Sequence, residues 1–358
     1  MGYPCVTADL DRLKENIARA ADLCHSRGLA LSAVTKCVCA DPRIVAVLEK
    51  SACDGLADSR LKNLAAIRSE KPKLLIRAAQ RHEADEAVRL SDMSFVSEAE
   101  TARLLGQAAR RLGRRHRVVL AVDMGDLREG CFFRDEADIR RTAEAILREP
   151  GLELYGVSMN LSDFGGVLPC PENMTGLVTI AERLRAKYDV PIPLVSGGST
   201  VLVKDLMDGT VAPGINHCRM GELWLAGRDP GRGTEVEGFS QACFTLTAEL
   251  IEVKDKPSKP IGPIGGDAFG HVIERPDLGP MRRGILAVGK QDTELDSLFP
   301  TDGRVRVVGG SSDHTIVDLT DAPEYGTGDT LSFRLGYGAI LRAWTSQYVE
   351  RRYTGGEA

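Results

Sequence analysis

The chain has 358 residues, of which 43% are hydrophobic and 27% are charged, and its formal net charge at pH 7 is −5. This balance is typical of a globular protein, and it lacks the basic excess that nucleic acids and anionic membranes attract. There is no apolar run long enough to span a bilayer, no signal-peptide pattern, and no CxxC pair among the nine cysteines. We therefore expect a cytoplasmic protein with reduced thiols.

Short apolar runs alternate with helical patterns over residues 9–230. The predicted strands are 30–36, 55–58, 73–78, 93–97, 117–123, 153–160, 193–196 and 216–220. The predicted helices are 9–24, 42–51, 60–69, 81–90, 98–112, 135–148, 171–187 and 199–207. Eight strands alternating with helices over about 220 residues predict an α/β fold of the TIM-like (β/α)8 barrel type. A doubly wound open sheet shares this alternation, but no GxGxxG turn follows the first strand, so we expect the barrel.

The pattern changes after residue 230. Residues 228–233 contain a proline and two glycines and predict a linker. Beyond them, strand-like runs are separated by clusters of proline and glycine; the runs are 243–253, 284–289, 304–308, 314–319 and 330–336. We therefore expect a second, all-β domain over residues 231–358.

A lysine closes the first strand of the barrel pattern. Asp41 and Pro42 follow as the predicted N-cap and first residue of a helix, which places Lys36 at the carboxyl end of the strand. Barrels carry their active sites at this end. Lys36 is either a solvated rim charge or an amine used in covalent chemistry, because desolvation lowers the pKa of an amine and frees its lone pair.

Glycine-bearing turns follow the last two predicted strands of the barrel. They are Ser196-Gly197-Gly198-Ser199-Thr200 and Arg219-Met220-Gly221. Glycines let backbone N–H groups approach an anion, and barrels often bind phosphate after strands seven and eight. A plain turn with a hydroxyl cap is the alternative for the first of them. Together with a lysine after strand one, the two turns predict a phosphorylated cofactor bound as an imine, and pyridoxal phosphate is the candidate.

Two further strand ends carry polar loops. The fifth strand is followed by Asp123–Gly130, which contains Arg128, and the sixth ends at Asn160. A salt-bridged loop and an ordinary Asx turn are the alternative interpretations. Both loops would lie at the same mouth of the barrel.

Seven motifs occur in order along the chain. They are Val34-Thr35-Lys36, Val122-Asp123-Met124-Gly125 with Arg128-Glu129-Gly130, Ser196-Gly197-Gly198-Ser199-Thr200, Arg219-Met220-Gly221, Gly265-Gly266-Asp267-Ala268-Phe269-Gly270, Ala287-Val288-Gly289-Lys290-Gln291-Asp292 and Gly309-Gly310-Ser311-Ser312-Asp313-His314. The set resembles the fold-type III pyridoxal phosphate enzymes of the alanine racemase superfamily, and most closely the ornithine racemase branch. The resemblance covers nearly the whole chain.

The resemblance implies roles for these residues. Lys36 would carry the cofactor and act as one of two racemisation bases, and Arg219 would face the pyridine nitrogen and keep it unprotonated. Ser199, Thr200 and the backbone of the next turn would hold the phosphate, and Arg128 would lie near the phenolic oxygen. The full set of implied cofactor-binding residues is Lys36, Arg128, Asn160, Ser199, Thr200, Arg219, Gly221 and Glu222. The resemblance also implies that residues 1–8 join the β domain and that two chains form a head-to-tail homodimer with shared active sites.

The chain departs from the alanine racemase pattern at the second base. Lys290 stands where that family has a tyrosine, and Ala40 stands near the place of an aromatic anchor. His314 and Asp313 are the other candidate bases. We favour His314 because imidazole ordinarily titrates at a pKa of about 6.5, whereas Asp313 suits orienting a neighbour or pairing with the distal amine of a basic substrate. Contacts to the substrate are expected from Ser312 and from the carboxylates of Asp267, Asp292 and Asp313.

The sequence therefore predicts a pyridoxal phosphate-dependent racemase of a basic amino acid, ornithine foremost. A racemase of lysine, alanine or serine is an alternative. A zinc-assisted D-amino-acid lyase on the same scaffold would need a His/Cys metal pair, and residues 311–314 contain one histidine and no cysteine. A non-catalytic carrier of the cofactor would lack the β domain. We expect no metal site, and no nucleic-acid or membrane partner.

Overall fold

The computed structural model describes residues 2–266, 269–270, 272 and 276–356. The chain divides into two compact units, one formed by Met1–Leu13 with Ser240–Ala358 and the other by Lys14–Phe239. Among the described residues, no helix has both the length and the apolar character needed to cross a bilayer.

The described strands and helices alternate through most of the chain. In chain order the strands are β1 (Cys5–Asp9), β2 (Ala30–Val34), β3 (Gly55–Asp58), β4 (Lys73–Leu75), β5 (Met93–Val96), β6 (His116–Asp123), β7 (Cys131–Phe132), β8 (Leu152–Ser158), β9 (Leu194–Ser196), β10 (His217–Met220), β11 (Arg228–Asp229), β12 (Thr234–Glu235), β13 (Phe244–Pro257), β14 (Pro280–Leu286), β15 (Leu298–Pro300), β16 (Arg306–Gly310), β17 (Thr315–Asp318), β18 (Thr330–Leu335) and β19 (Glu350–Thr354). The helices are α1 (Leu10–His25), α2 (Pro42–Glu49), α3 (Leu61–Ala66), α4 (Ala84–Leu90), α5 (Ala99–Arg111), α6 (Glu136–Leu147), α7 (Pro171–Tyr188), α8 (Val203–Asp208), α9 (Glu222–Ala226) and α10 (Tyr337–Thr345). Short 3-10 turns cover Lys36–Val38, Arg81–Glu83, Thr200–Leu202 and Leu295–Ser297.

Eight strands of the Lys14–Phe239 unit close into a barrel. Parallel pairing runs in the order β2-β3-β4-β5-β6-β8-β9-β10, and β10 pairs with β2 to complete the ring. The TIM-like barrel prediction is therefore confirmed, and the open doubly wound sheet is excluded because such a sheet has two free edges. The short strand β7 pairs with the carboxyl end of β6.

The barrel interior is a packed core. Side chains from five neighbouring strands form one buried cluster that includes Val34, Ala57, Leu74, Phe95 and Val119. A filled interior leaves the strand ends as the place where polar side chains collect.

Helix α2 begins as the sequence predicts. Asp41 is its N-cap and accepts hydrogen bonds from the backbone N–H groups of Arg43 at 3.0 Å and Ile44 at 3.4 Å. Pro42 occupies the first helical position, where a missing N–H costs nothing. This cap holds the turn that follows Lys36.

The other unit is organised around β13. This long strand pairs antiparallel with β1, β14 and β18, and the sheet continues in the order β15-β18-β13-β14-β17-β16. β1 also pairs in parallel with β19. The β character predicted for this region is confirmed, and residues 5–9 belong to its sheet.

A helix and a hairpin are among the features of the described chain that differ from the sequence pattern, as are the short strands β7, β15 and β19. Helix α10 was not predicted, because nine residues are too few for a clear helical period and Gly336 precedes them without a side-chain cap. The predicted linker at 228–233 instead leads through a hairpin, in which β11 pairs with β12.

Candidate active site

Three neighbouring strand ends bring the predicted cofactor residues of the barrel together. β10 lies between β2 and β9 in the ring. The backbone N–H of Arg219 donates to the carbonyl of Gly198 at 2.9 Å, and Met220 pairs in register with Ala33. Lys36, the 196–200 turn and the 219–221 turn therefore lie at the same end of the barrel.

Lys36 begins the 3-10 turn directly after β2. Its side chain is partly buried, and within the described ranges no oxygen accepts a hydrogen bond from its amine. The adjacent thiol of Cys37 is fully buried, and this burial raises its pKa. Lys36 is thus an amine with no acceptor among the described residues, and it lies beside a thiol that stays neutral.

The residue before Lys36 is anchored to the next strand. Thr35 Oγ1 donates to Asp58 Oδ2 at 2.7 Å, and the Thr35 N–H donates to the carbonyl of Ala57 at 2.9 Å. Asp58 also accepts from the N–H of Arg60 at 2.9 Å. Burial raises the pKa of Asp58, although these hydrogen bonds oppose the shift. The carboxyl end of β3 therefore fixes the backbone that presents Lys36.

The glycines of the 196–200 turn are required by its geometry. Gly198 has φ of +128°, and a Cβ on Gly197 would come within 2.7 Å of Ile215 Cγ2. The turn leads into Thr200, whose Oγ1 accepts from the backbone N–H of Gly221 at 3.3 Å. The two predicted phosphate turns are therefore in direct contact, with Ser199 only partly buried.

Arg219 is almost completely buried at 3% exposure. Its Nη2 donates to the carbonyl of Met159 at 2.9 Å and to Asn160 Oδ1 at 3.3 Å, and its Nη1 donates to Ser196 Oγ. The guanidinium carbon lies 4.9 Å from the centre of the Phe95 ring. Burial lowers its pKa to about 10, so the group stays cationic at neutral pH.

Glu222 is the first residue of α9, directly after the glycine of the 219–221 turn. Burial raises the pKa of its carboxyl to about 7. A substantial fraction of Glu222 is therefore neutral near physiological pH, and a neutral carboxyl does not repel an anion bound at this turn.

Arg128 is held by two carboxylates. Its Nη2 donates to Glu129 Oε1 at 2.7 Å and lies 3.1 Å from Asp163 Oδ2. Asp163 also accepts a hydrogen bond from Asn160 Nδ2. The ion pair between Arg128 and Asp163 thus connects the loops after β6 and β8 at the mouth of the barrel.

Asp126, to which the sequence assigned no role, also joins the loops after β6 and β8, and it does so through several backbone hydrogen bonds. Asp126 is 1% exposed and accepts from the backbone N–H groups of Ser162 at 2.9 Å, Phe164 at 2.9 Å and Val167 at 3.1 Å. Burial acts to raise the pKa of Asp126, but the backbone hydrogen bonds outweigh it and lower the pKa. The acidic loop sequence was visible, but its distant partners became apparent only in the fold.

The remaining predicted residues lie in the other unit. The backbone N–H of Lys290 donates to Ser311 at 2.9 Å, and the Lys290 amine lies 4.6 Å from the centre of the Phe269 ring. Gly289 has to be glycine, because a Cβ there would lie 2.3 Å from the carbonyl oxygen of Ser312. The 289–292 segment is thereby packed against the 311–314 turn.

The polar side chains of this pair of segments differ in exposure. His314 is exposed, and its Nδ1 lies 3.5 Å from Ser311 Oγ. Ser312 donates to the exposed Asp313 at 3.1 Å. Asp292 is 8% exposed and accepts from Ser346 at 2.7 Å, so its carboxylate is already used inside the unit. Asp267 lies outside the described residues.

Comparison with known proteins gives one family match and full-length similarity to two racemases. Residues 8–225 match the family described as "Alanine racemase, N-terminal domain". The chain is 38% identical over 351 residues to the ornithine racemase of Acetoanaerobium sticklandii, covering 98% of this chain and 99% of that protein. It is 34% identical over 356 residues to the lysine racemase of Thermotoga maritima, covering 99% of each.

A solved structure shares the fold at low sequence identity. Alanine racemase from Streptomyces lavendulae superposes with a TM-score of 0.73 at 19% identity, covering 100% of this chain and 98% of that one. This likeness supports the barrel with its β domain. The family match extends over more than half of the chain, and the resemblance inferred from the ordered motifs is confirmed. The chain belongs to the alanine racemase family.

Proposed function

We propose that this protein is a pyridoxal phosphate-dependent amino-acid racemase that interconverts the L and D forms of a basic amino acid, ornithine foremost. One observation carries the proposal. A lysine amine, a pair of contacting hydroxyl- and glycine-bearing turns, and a buried cation occur at adjacent strand ends of one barrel. The likeness to the ornithine and lysine racemases supports the substrate class.

The donor set fits this cofactor. The hydroxyls of Ser199 and Thr200 and the backbone at Gly221 and Glu222 would hold a phosphate, and Lys36 offers the amine that an aldehyde requires. Pyridoxal phosphate, when bound, withdraws electrons from the substrate and makes its α-proton acidic.

Three barrel residues would have separate roles in the reaction. Lys36 takes and returns the α-proton on one face of the substrate. Arg219, kept cationic and held by Asn160, opposes protonation of the pyridine nitrogen. Arg128, oriented by Glu129 and Asp163, would hold the phenolic oxygen of the cofactor.

Racemisation needs a second proton carrier on the opposite face, because the deprotonated α-carbon is planar. We propose that it comes from the β domain of a second chain in a head-to-tail homodimer, with His314 ahead of Lys290. Asp313 and Ser312, on the exposed turn, would contact the substrate together with Asp267. Asp292 is a weaker candidate because it is buried and bonded to Ser346.

The protein's nine cysteines are free thiols, which fits the reducing cytoplasm that we propose as its location. Its partners in this proposal are a small amino acid and a second copy of the chain.

The experiment that tests the function is exchange of the α-proton in heavy water. Purified protein loaded with pyridoxal phosphate is given each L-amino acid in turn, and deuterium at the α-carbon is followed by NMR. We expect the fastest exchange with ornithine, then lysine. Borohydride reduction and peptide mapping should place the pyridoxyl group on Lys36, with Lys36→Ala as the control. Labelling of Lys290 instead, or no exchange with any amino acid, contradicts the proposal.

Complementation tests the dimer. A Lys36→Ala chain mixed with a His314→Asn, Lys290→Met double variant should regain part of the exchange activity, since one site in each mixed dimer is then intact. Activity that stays at the level of the separate variants, after subunit exchange is shown by mass, indicates that each site belongs to one chain.

A further inference from the structure

Four buried polar side chains form a connected network across three neighbouring barrel strands. His217 Nδ1 lies 2.7 Å from Ser196 Oγ on β9, and His217 Nε2 lies 2.9 Å from Ser32 Oγ on β2. Arg219 Nη1 donates to the same Ser196 hydroxyl oxygen. The histidine is thus linked through the single hydroxyl of Ser196 to the arginine assigned to the pyridine nitrogen.

The alternation of β10 places the two residues on one face. His217 and Arg219 are two residues apart, so both face the barrel interior. The intervening Cys218 faces the other way, where its sulfur lies 3.4 Å from that of Cys24 on α1. All four members of the network are at most 4% exposed. Water therefore has little access to these groups, and each must find its partner within the protein.

The hydrogen atoms of the network can be assigned. Burial, reinforced by the charge of Arg219, lowers the pKa of His217 to about 3, so the imidazole is neutral and has one donor and one acceptor. Arg219 can only donate, so Ser196 accepts from it. Among the described contacts of the Ser196 hydroxyl, Nδ1 of His217 is the one acceptor for its hydrogen, so the hydroxyl donates to Nδ1 and Nε2–H of His217 donates to Ser32. In this arrangement the imidazole determines the direction of the Ser196 hydroxyl.

We propose that His217 is a positioning residue for Arg219. By accepting a hydrogen bond from the Ser196 hydroxyl, it turns the oxygen lone pairs of Ser196 toward Arg219 and fixes one edge of the guanidinium. Asn160 and the carbonyl of Met159 fix the other. The proposal rests on the proposed function for its purpose, which is to hold a cation steadily at the pyridine nitrogen.

The structure offers a matched control. His116 is also a buried neutral barrel histidine, 2% exposed, with a pKa lowered to about 4 by burial, and its Nε2 lies 2.8 Å from Ser94 Oγ. None of the described contacts of His116 reaches Arg219. A purely packing role for His217 predicts that His217→Phe and His116→Phe behave alike.

The first readout uses the cofactor-free protein. With 15N-labelled arginine, the exchange of the Arg219 guanidinium protons with water is measured by NMR, and Arg219→Lys identifies the signal. We expect exchange roughly fivefold to tenfold faster in His217→Phe, the effect of losing one hydrogen bond, and no change in His116→Phe. Ser32→Ala, which removes only the outer partner of His217, should give a smaller change of the same sign and serves if His217→Phe does not fold.

The second readout uses the loaded enzyme. The number of abortive transamination events per racemisation should rise several-fold in His217→Phe, as in Arg219→Lys, while His116→Phe keeps the wild-type ratio. Wild-type exchange of Arg219 protons in both His217→Phe and Ser32→Ala overturns the positioning role. A wild-type protein that binds no pyridoxal phosphate overturns the proposed function instead, and the first readout still decides the role of His217.

Discussion

Thr35, the residue before Lys36, donates a 2.7 Å hydrogen bond to the buried carboxyl of Asp58. The bond joins the carboxyl ends of β2 and β3. Because Thr35 is fully buried and its N–H also bonds to Ala57, the backbone at Lys36 has little freedom to move. The reactive amine is therefore positioned by the neighbouring strand and by the Asp41 cap of α2.

Replacing Thr35 by valine should weaken this support. The shape is kept, but Asp58 loses one donor while it remains buried, which costs about 1–3 kcal/mol of unfolding free energy. Urea denaturation of the cofactor-free protein measures this loss. We also expect weaker binding of pyridoxal phosphate, followed by absorbance titration. Thr142, equally buried in α6, provides the control Thr142→Val. Equal cofactor affinity in the two variants would show that Thr35 does not support cofactor binding.

The strand ends and their glycines could be predicted because they depend on local sequence. Apolar runs mark β2, β9 and β10, so the positions of Lys36 and Arg219 at the barrel mouth follow from the order of elements. The partners of these residues could not be predicted in the same way. The strand order predicts that β2 lies beside β3 and β9 beside β10, but it does not predict which side chains the register brings into contact, such as Asp58 with Thr35 or Ser196 with Arg219.

In the β domain, the sequence predicted which segments belong to the site but not which of their side chains are exposed. The motifs at 287–292 and 309–314 were recognised together, and the backbone bonds of Lys290 and Gln291 to Ser311 and Ser312 explain why they occur as a pair. Asp292 looked equivalent to Asp313 in sequence, yet one is buried and the other exposed. The difference comes from Ser346, which lies 54 positions further along the chain and bonds to Asp292.

Asp126 should be more important for stability than an ordinary loop carboxylate. Asp126→Ala removes the acceptor for several backbone N–H groups of residues 162–167. We expect a loss on the order of 2–3 kcal/mol, since hydrogen bonds to a charged acceptor are strong and the N–H groups are left unpaired. Hydrogen exchange by mass spectrometry should show faster exchange at 162–167.

A matched control for this prediction is Asp135, which caps α6 with one backbone hydrogen bond at 2.9 Å. Asp135→Ala should cost about 1 kcal/mol and leave exchange at 162–167 unchanged. If the two alanine variants lose the same stability, Asp126 does not fasten the loop.

Glu222 should make the stability of the cofactor-free protein depend on pH. Its folded pKa of about 7 lies above the ordinary value of 4.5, so the folded state binds the proton more tightly than the unfolded state. The stabilisation is therefore present below about pH 4.5 and is lost as the pH rises through about 7. The loss is on the order of 2–3 kcal/mol.

Glu222→Gln removes this titration. As the pH rises from 4.5 to 8, the unfolding free energy of the wild type should fall relative to that of the variant, as measured by urea denaturation. Glu237→Gln, at an exposed position, should show no such trend. A difference that does not change with pH would mean that Glu222 is ionised throughout the range.

The contacts within the β domain favour His314 over Lys290 as the second base. The ammonium of Lys290 lies 4.6 Å from the centre of the Phe269 ring. This cation–π contact engages the Lys290 ammonium with the face of the ring, whereas a second base needs a free lone pair directed at the substrate. His314 is exposed on its turn, with Ser311 Oγ 3.5 Å from Nδ1. Imidazole is the side chain that most often serves as a general acid or base in enzymes.

Loss of one base should affect the two enantiomers unequally, because each base serves one face of the substrate. We expect His314→Asn to slow α-proton exchange from one enantiomer of ornithine by roughly a hundredfold or more, the usual scale for a lost acid–base group, with a smaller effect on the other. Lys290→Met should change both by less. Exchange is measured in heavy water with each enantiomer separately, at early times. If His314→Asn exchanges both enantiomers at wild-type rates while Lys290→Met does not, Lys290 is the second base and His314 is structural.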